Sequence, residues 1–379
     1  MSKLVDVPRL LDESAGIGVR LSEHVAGQPL AFSGVWGSLR GVFAAAIARH
    51  ASHILMLLPE AADADVVAGD ALAFGVDDAV SLPLSASEAS ASSIRDDDYA
   101  DRLQVLQRLV ARDTGAALPL LVTAYIGGAM QLVPTPEQLE ASTRRIAVGD
   151  EVEPETIRRW LAESGFSATT AVQLPGEFAA RGGLLDVYSA DQPQPIRIEW
   201  FGDEVESIRR FDPGSQRSIE SLEQVEIAAV GITSDTRFEH QDAITEVGYT
   251  ESDNEDPDAA ENTTPSTQGL GGIAEYLPDN TLVVVVDPHE CERSANALKQ
   301  RSGEAANLMS FQELIESLAT YRMVTGTTLA TGNRDEIVDL HSTTADGFAL
   351  SLDETRTRLD SVAKADEIVL VGDTPADGE

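Results

Sequence analysis

Between residues 176 and 213 the chain reads GEFAARGGLLDVYSADQPQPIRIEWFGDEVESIRRFDP, and apolar and polar residues alternate in it twice, over 184–188 and 196–201. Turn-forming residues close each run, 189–195 after the first and Gly202-Asp203 after the second. Period-two alternation bounded by glycine, proline and aspartate predicts antiparallel strands with one buried face. Ile196, Ile198 and Trp200 then share one face of the second strand, and Arg197, Glu199 and Phe201 the other. A phenylalanine is left on the polar face, within reach of Arg197. Two outcomes fit: Phe201 caps the hairpin or packs under a neighbouring helix, or it forms a binding hot spot with the arginine.

The block GEFAARGGLLDVY…IRIEWFGDEVESIRRFD resembles the second domain of the UvrB and transcription-repair coupling factor families. The forms RGGLLDVY and RRFDPGSQRSIE are closer to the coupling factors. In those families this domain binds UvrA, the damage-recognition subunit of excision repair. The resemblance implies UvrA contacts at Arg181 in the RGGLLD segment, Arg197 in the next strand and Phe201 at its end.

At 379 residues the chain is too long for one ordinary core and predicts two or three domains. Its net charge is −37, and Lys3, Lys299 and Lys364 are its only lysines. Such a surface repels phosphate backbones, which makes these residues a poor binder of duplex DNA. It also suits a saline habitat. No apolar run reaches the ~20 residues of a membrane span, and MSKLVDVPRLLDES lacks the apolar core of a signal peptide. A cytoplasmic protein without membrane partners is expected. Cys291 is the only cysteine, which excludes an internal disulfide or a cysteine zinc cage.

A strand at 31–33, a turn Gly34-Val35-Trp36-Gly37-Ser38-Leu39-Arg40-Gly41 and an apolar helix over 42–50 have the layout of a phosphate-binding loop. The chemistry is missing. Gly-Lys-Ser/Thr should end the motif, and Leu39, Arg40 and Gly41 stand there instead. Leu39 adds a side chain where backbone must approach phosphate. Arg40 does not replace a compact ammonium. Gly41 has no hydroxyl for Mg²⁺. The resemblance agrees, because UvrB keeps this loop and the N-terminal copy in coupling factors has lost it. A second lesion follows the apolar strand 281–286. Helicase-type ATPases place Asp-Glu there, for Mg²⁺ and for water activation. Here Asp287 is followed by Pro288, with Glu290 two places late. His289 beside Cys291 reads as a helix start rather than a metal pair. No catalytic residue, cofactor or metal is expected.

Further buried strands are predicted at 54–58 and 120–124, and helices at 61–74, 99–112, 150–165 and 311–318. Residues 85–93, SASEASASS, read as a low-complexity loop. Asp96, Asp97 and Asp98 suit the positive end of the helix that follows. UvrB has an aromatic DNA-clamping hairpin near here, but Tyr99 is the only aromatic between Gly75 and Arg112. Residues 234–262 carry ten acidic residues and one arginine, and read as a disordered linker. Residues 348–352 alternate like a strand. A strand at 368–371 is followed by a turn and only four residues, which reads as a chain cut inside a unit.

The expected fold class is α/β: a degenerate phosphate-loop domain of the UvrB kind carrying an inserted, mainly antiparallel α+β domain. Residues 1–142 form the first part of the degenerate domain and 143–230 the UvrA-binding domain. Residues 231–268 form the acidic linker, and 269–379 a C-terminally incomplete second part. The resemblance implies a non-catalytic adaptor that recruits UvrA to RNA polymerase stalled at a lesion. RNA polymerase and DNA would be engaged only through a polymerase-binding module and a translocase not contained in these residues. The alternatives are a UvrB-like or other NTP-dependent repair ATPase, and a regulatory domain that contacts only its own parent chain.

Overall fold

A computed structural model describes residues 4–85, 97–113, 120–189, 192–228, 270–302, 307–329 and 337–340. The loop at 85–93 beyond Ser85, the linker 231–268, and the strands expected at 348–352 and 368–371 lie outside the described residues.

Two helices, α1 (Val7–Ala15) and α2 (Ile17–Glu23), open the chain and lead to β1 (Ala31–Ser33). There follow α3 (Leu39–Ala48), β2 (His53–Leu58), α4 (Ala61–Ala73), β3 (Ala79–Leu82), α5 (Asp97–Asp113) and β4 (Leu120–Tyr125). The short α6 (Ile126–Met130), β5 (Val133–Pro134) and α7 (Pro136–Ala141) complete this part.

An antiparallel unit comes next: β6 (Thr143–Ala147), α8 (Pro154–Glu163), β7 (Ser167–Ala168), β8 (Glu177–Arg181), β9 (Leu184–Tyr188) and β10 (Ile196–Phe201). It ends with β11 (Glu204–Phe211), β12 (Ser218–Leu222) and β13 (Gln224–Ala228). After it lie β14 (Leu270–Gly271), β15 (Leu282–Val286), α9 (Pro288–Ser302), α10 (Phe311–Leu318), β16 (Arg322–Thr327) and β17 (Ile337–Asp339).

Seven strands form a parallel sheet in the order β17-β1-β16-β15-β2-β4-β3. The sequences HILMLL, LLVTAY and LVVVV are apolar throughout because helices cover both faces of these strands. One face packs Phe43 and Ile47 of α3 and Val67 and Ala71 of α4 against Met56, Leu121 and Val284. The other packs Leu103 and Leu106 of α5, Cys291 and Ala295 of α9 and Leu314 of α10 against Leu57, Val122 and Val285. α5 buries Leu103, Leu106 and Leu109, while Val110 is exposed. The fold is therefore α/β, with a parallel core and a separate antiparallel sheet.

Two elements depart from the sequence reading. Arg322-Met-Val-Thr-Gly-Thr has no apolar run, yet β16 lies between β15 and β1. Its polar residues sit only partly buried, and the sheet supplies its partners. α8 begins at Pro154 rather than near 150, because proline favours the first helical turn and residues 149–152 pair with β11 instead.

The six-stranded antiparallel sheet has the order β12-β11-β10-β9-β8-β7. Ile196, Ile198 and Trp200 of β10 face a core with Leu185, Val187, Val205, Ile208 and, from α8, Ile157 and Leu161. The Trp200 indole Nε1–H donates to the Val152 carbonyl at 3.0 Å, which satisfies its one donor inside that core. The unit is entered by β6 and left by β13, and these two strands pair antiparallel from Thr143↔Ala228 to Ala147↔Gln224.

No described helix is long and apolar enough to cross a membrane. The one cysteine is buried in the core, where its thiol donates to the Val286 carbonyl at 3.1 Å. Burial, with Asp287 nearby, pushes the Cys291 thiol up to about 12. A thiol-specific chromogenic reagent at neutral pH should leave the native protein unlabelled and modify one group per chain in denaturant. Labelling of the native protein at the rate of the denatured one would show that α9 opens.

Candidate functional site

The strand register decides what the outer face of the antiparallel sheet can offer. Arg197 stands directly across from Asp186 of β9 on one side and from Arg209 of β11 on the other. Its Nε and Nη2 donate to the two Asp186 carboxylate oxygens at 2.7 and 2.8 Å, and Nη2 also donates to Gln216 at 3.2 Å. The guanidinium carbon lies 4.6 Å from the centroid of the Phe211 ring. The side chains of Arg197 and Asp186 are 20% and 8% exposed. Hydrogen bonding to Asp186 raises the Arg197 pKa further. This bidentate pair is a strong internal contact. Arg197 is therefore a strut of the sheet as much as a surface cation, a setting that alternation alone does not reveal.

Phe201 has the opposite character. It ends β10 and is 80% exposed, and nothing among the described residues buries it. The capping and under-helix alternatives are thus not adopted. Arg181 ends β8 across from Leu184, which itself pairs with Glu199 of β10. Arg181 and Phe201 therefore lie at the same end of the sheet, two strands apart, or roughly 10 Å. The Arg181 guanidinium donates to the Thr170 carbonyl. Arg158 of α8 donates to the Gly182 carbonyl in the β8–β9 turn and braces this end. Sequence reading passed over Asp186, Phe211 and Gln216, because each acts through a neighbour brought alongside only by strand pairing.

The phosphate-loop remnant lies at the carboxyl ends of β1, β15 and β16, where open α/β sheets bind ligands. Gly34 and Gly37 take left-handed φ values of 89° and 54°, so the turn keeps a tight glycine-dependent path. Its amides, however, fold inward. Val35 N–H donates to the Thr327 carbonyl, Leu39 N–H to Trp36 and Arg40 N–H to Gly37. Arg40 pairs with Asp63 of α4, and its Nη2 lies 3.5 Å from Asp287 Oδ2. The Asp287 carboxylate accepts from the Thr328 amide at 2.7 Å and from its hydroxyl at 2.9 Å. Pro288 is the first residue of α9, and Glu290 pairs with Arg293. Gly41 is set by packing, since a Cβ there would stand 2.3 Å from the Asp70 Cβ. Among the described residues no group of three potential metal ligands comes together.

Two stability measurements follow from this ion-pair plug. Arg40→Ala strips the cation from two partly buried carboxylates, Asp63 and Asp287, and should cost about 1–3 kcal/mol in denaturant unfolding. Gly41→Ser, which places the hydroxyl of a phosphate-loop motif at this position, should cost a similar ~1–3 kcal/mol by forcing α3 off α4. A Gly41→Ser protein as stable as the wild type would show that the helices have room to move.

Residues 145–231 match the family described as the UvrB interaction domain. Among similar proteins, the transcription-repair-coupling factor of Bacillus subtilis strain 168 is 33% identical over 198 residues, 52% of this chain and 16% of that protein. The factor of Mycobacterium bovis is 28% identical over 284 residues, 69% of this chain and 22% of its own length. The UvrABC system protein B of Thermosipho africanus is 38% identical over 82 residues, 22% of this chain and 12% of that protein. The matched part thus spans about a fifth of the length of the coupling factors. The chain is similar to transcription-repair-coupling factors well beyond the antiparallel unit, and within that unit to the UvrB interaction domain.

Proposed function

We propose that these residues serve transcription-coupled nucleotide excision repair as a non-catalytic adaptor that docks UvrA. The docking surface is the end of the antiparallel sheet that carries Phe201 and Arg181, with Arg197 holding the sheet beneath it. One observation carries the reading: in the unit that matches the UvrB interaction domain, the phenylalanine at the end of β10 stands 80% exposed on the outer sheet face, whereas Phe211 of the same face is fully buried. Exposed apolar area of this kind favours a partner that buries it. We propose residues 143–230 as this docking domain, inserted into a degenerate α/β domain made of residues 1–142 and 269–379, with 231–268 as the linker. Displacement of RNA polymerase and DNA translocation belong, on this proposal, to other parts of a longer protein.

The reading also makes the parallel-sheet domain a scaffold without nucleotide chemistry. It is supported by the inward amides of the loop, by Arg40 bound to Asp63 and Asp287, and by Pro288 at the water-activating position.

Binding of UvrA, measured by calorimetry alongside thermal melting, separates contact from framework. Phe201→Ala should weaken binding about thirtyfold or more with an unchanged melting temperature. Arg181→Ala should weaken it less, also without a stability cost. Trp200→Ala removes the core indole and should cost about 3–5 kcal/mol of stability. Arg197→Ala leaves Asp186 buried without its partner and should lower both binding and melting temperature. Wild-type affinity in Phe201→Ala would remove Phe201 from the interface. For the scaffold reading, the chain should show no Mg²⁺-dependent ATP turnover above background. Turnover that Arg40→Ala abolishes would mean that the loop is alive.

A further inference from the structure

Phe201 does not stand alone at the end of its sheet. It is the register partner of Glu204 on β11, and Glu204 in turn bridges to Glu151 in the segment after β6. Directly opposed residues of antiparallel strands project to the same side. Phe201, Glu204 and Glu151 therefore form a row across three adjacent chains spaced about 4.8 Å apart. All three are exposed. The Val205 amide donates to the Asp150 carbonyl and the Val152 amide to the Asp203 carbonyl. These bonds flank Glu151 and Glu204 and make them a non-hydrogen-bonded pair, in which side chains come closest, with Cα atoms about 4.5 Å apart.

Two carboxylates directly opposed across strands repel. Neither has a cationic partner among the described residues. The arginines of the same face are occupied: Arg197 is held by Asp186 and Arg209 by Glu199. Arg144 and Arg145 line the same cleft as Glu151, but Arg144 lies over the Trp160 ring and Arg145 donates to Gln224. The charge directly beside Phe201 is thus negative on the β11 side, and Arg181 lies on the far side, two strands away.

We infer that the partner docking on Phe201 brings a basic side chain, arginine or lysine, to Glu151 and Glu204, with Phe201 seated in an apolar socket beside it. This rests on the UvrA-docking reading above and adds the sign of the charge that the partner must carry. A guanidinium over the row would bond both carboxylates and lie against the Phe201 ring, combining a charge-assisted hydrogen bond with a cation–π contact. It would also remove a repulsion present in the free protein. An arginine-rich docking face would demand carboxylates from the partner at this place. The internal pairing of Arg197 and Arg209 turns that demand round.

The test is UvrA binding by the full chain at low and moderate salt, for Phe201→Ala, Glu151→Gln, Glu204→Gln, the Glu151→Gln/Glu204→Gln double variant, and Glu226→Gln as a charge-matched control on β13. Each single Gln variant should weaken binding about fivefold and the double variant about twentyfold, with a shallower salt dependence. Their melting temperatures should be equal to or above that of the wild type, because a like-charge contact is lost. Glu226→Gln should bind as the wild type does. If the double variant binds as tightly as wild type or tighter while Phe201→Ala is weak, the docking site stands and the charge assignment is overturned. If Phe201→Ala binds like wild type, the docking reading falls and the charge assignment with it.

Discussion

The parallel sheet is the constraint on which everything else rests. β1 is hydrogen-bonded between β16 and β17, and β15 between β16 and β2, so strands from either side of the antiparallel unit interleave. The backbone groups of these buried strands have no solvent to turn to, and none of the strands can leave without orphaning its neighbours. The antiparallel unit can interrupt such a sheet because its entering and leaving strands, β6 and β13, pair with each other. Its ends are thereby brought side by side, and the sheet on either side is left undisturbed.

At both places that the sequence singles out, an arginine is held in an internal ion pair. Arg40 lies among Asp63 and Asp287 where a nucleotide loop would leave its cation for phosphate. Arg197 lies between Asp186 and the Phe211 ring where a surface arginine would meet a partner. In a chain with 64 Asp and Glu against 27 Lys and Arg, carboxylate partners for an arginine are plentiful. A half-buried guanidinium is stable only when such a partner is fixed to it. What remains unsatisfied is correspondingly informative: an exposed ring at Phe201 and the opposed glutamates beside it.

Much of the framework is legible in the sequence alone. The continuous apolar strands β2, β4 and β15, the alternating β9 and β10, and the core side of β10 all follow from burial patterns that repeat along the chain. The departures from a phosphate-loop motif are equally legible residue by residue, since Leu39, Arg40, Gly41 and Pro288 each stand where the motif has another chemical group. Local sequence carries such information because helix and strand periodicity and side-chain chemistry are properties of neighbouring residues.

Tertiary structure alone decided the rest. β16 has a polar sequence and becomes a central strand only because β1 and β15 bond to both its edges. The requirement for glycine at position 41 comes from Asp70 on another helix. Arg197 was identifiable as an arginine on the polar face, but its capture by Asp186 depends on strand register, and so does the row of Phe201, Glu204 and Glu151. Sequence thus determined which residues face inward and where the chain departs from a phosphate-loop motif. Pairing of distant segments determined which charges are neutralised, because the partners of an ion pair are chosen by contact in space and not by spacing along the chain.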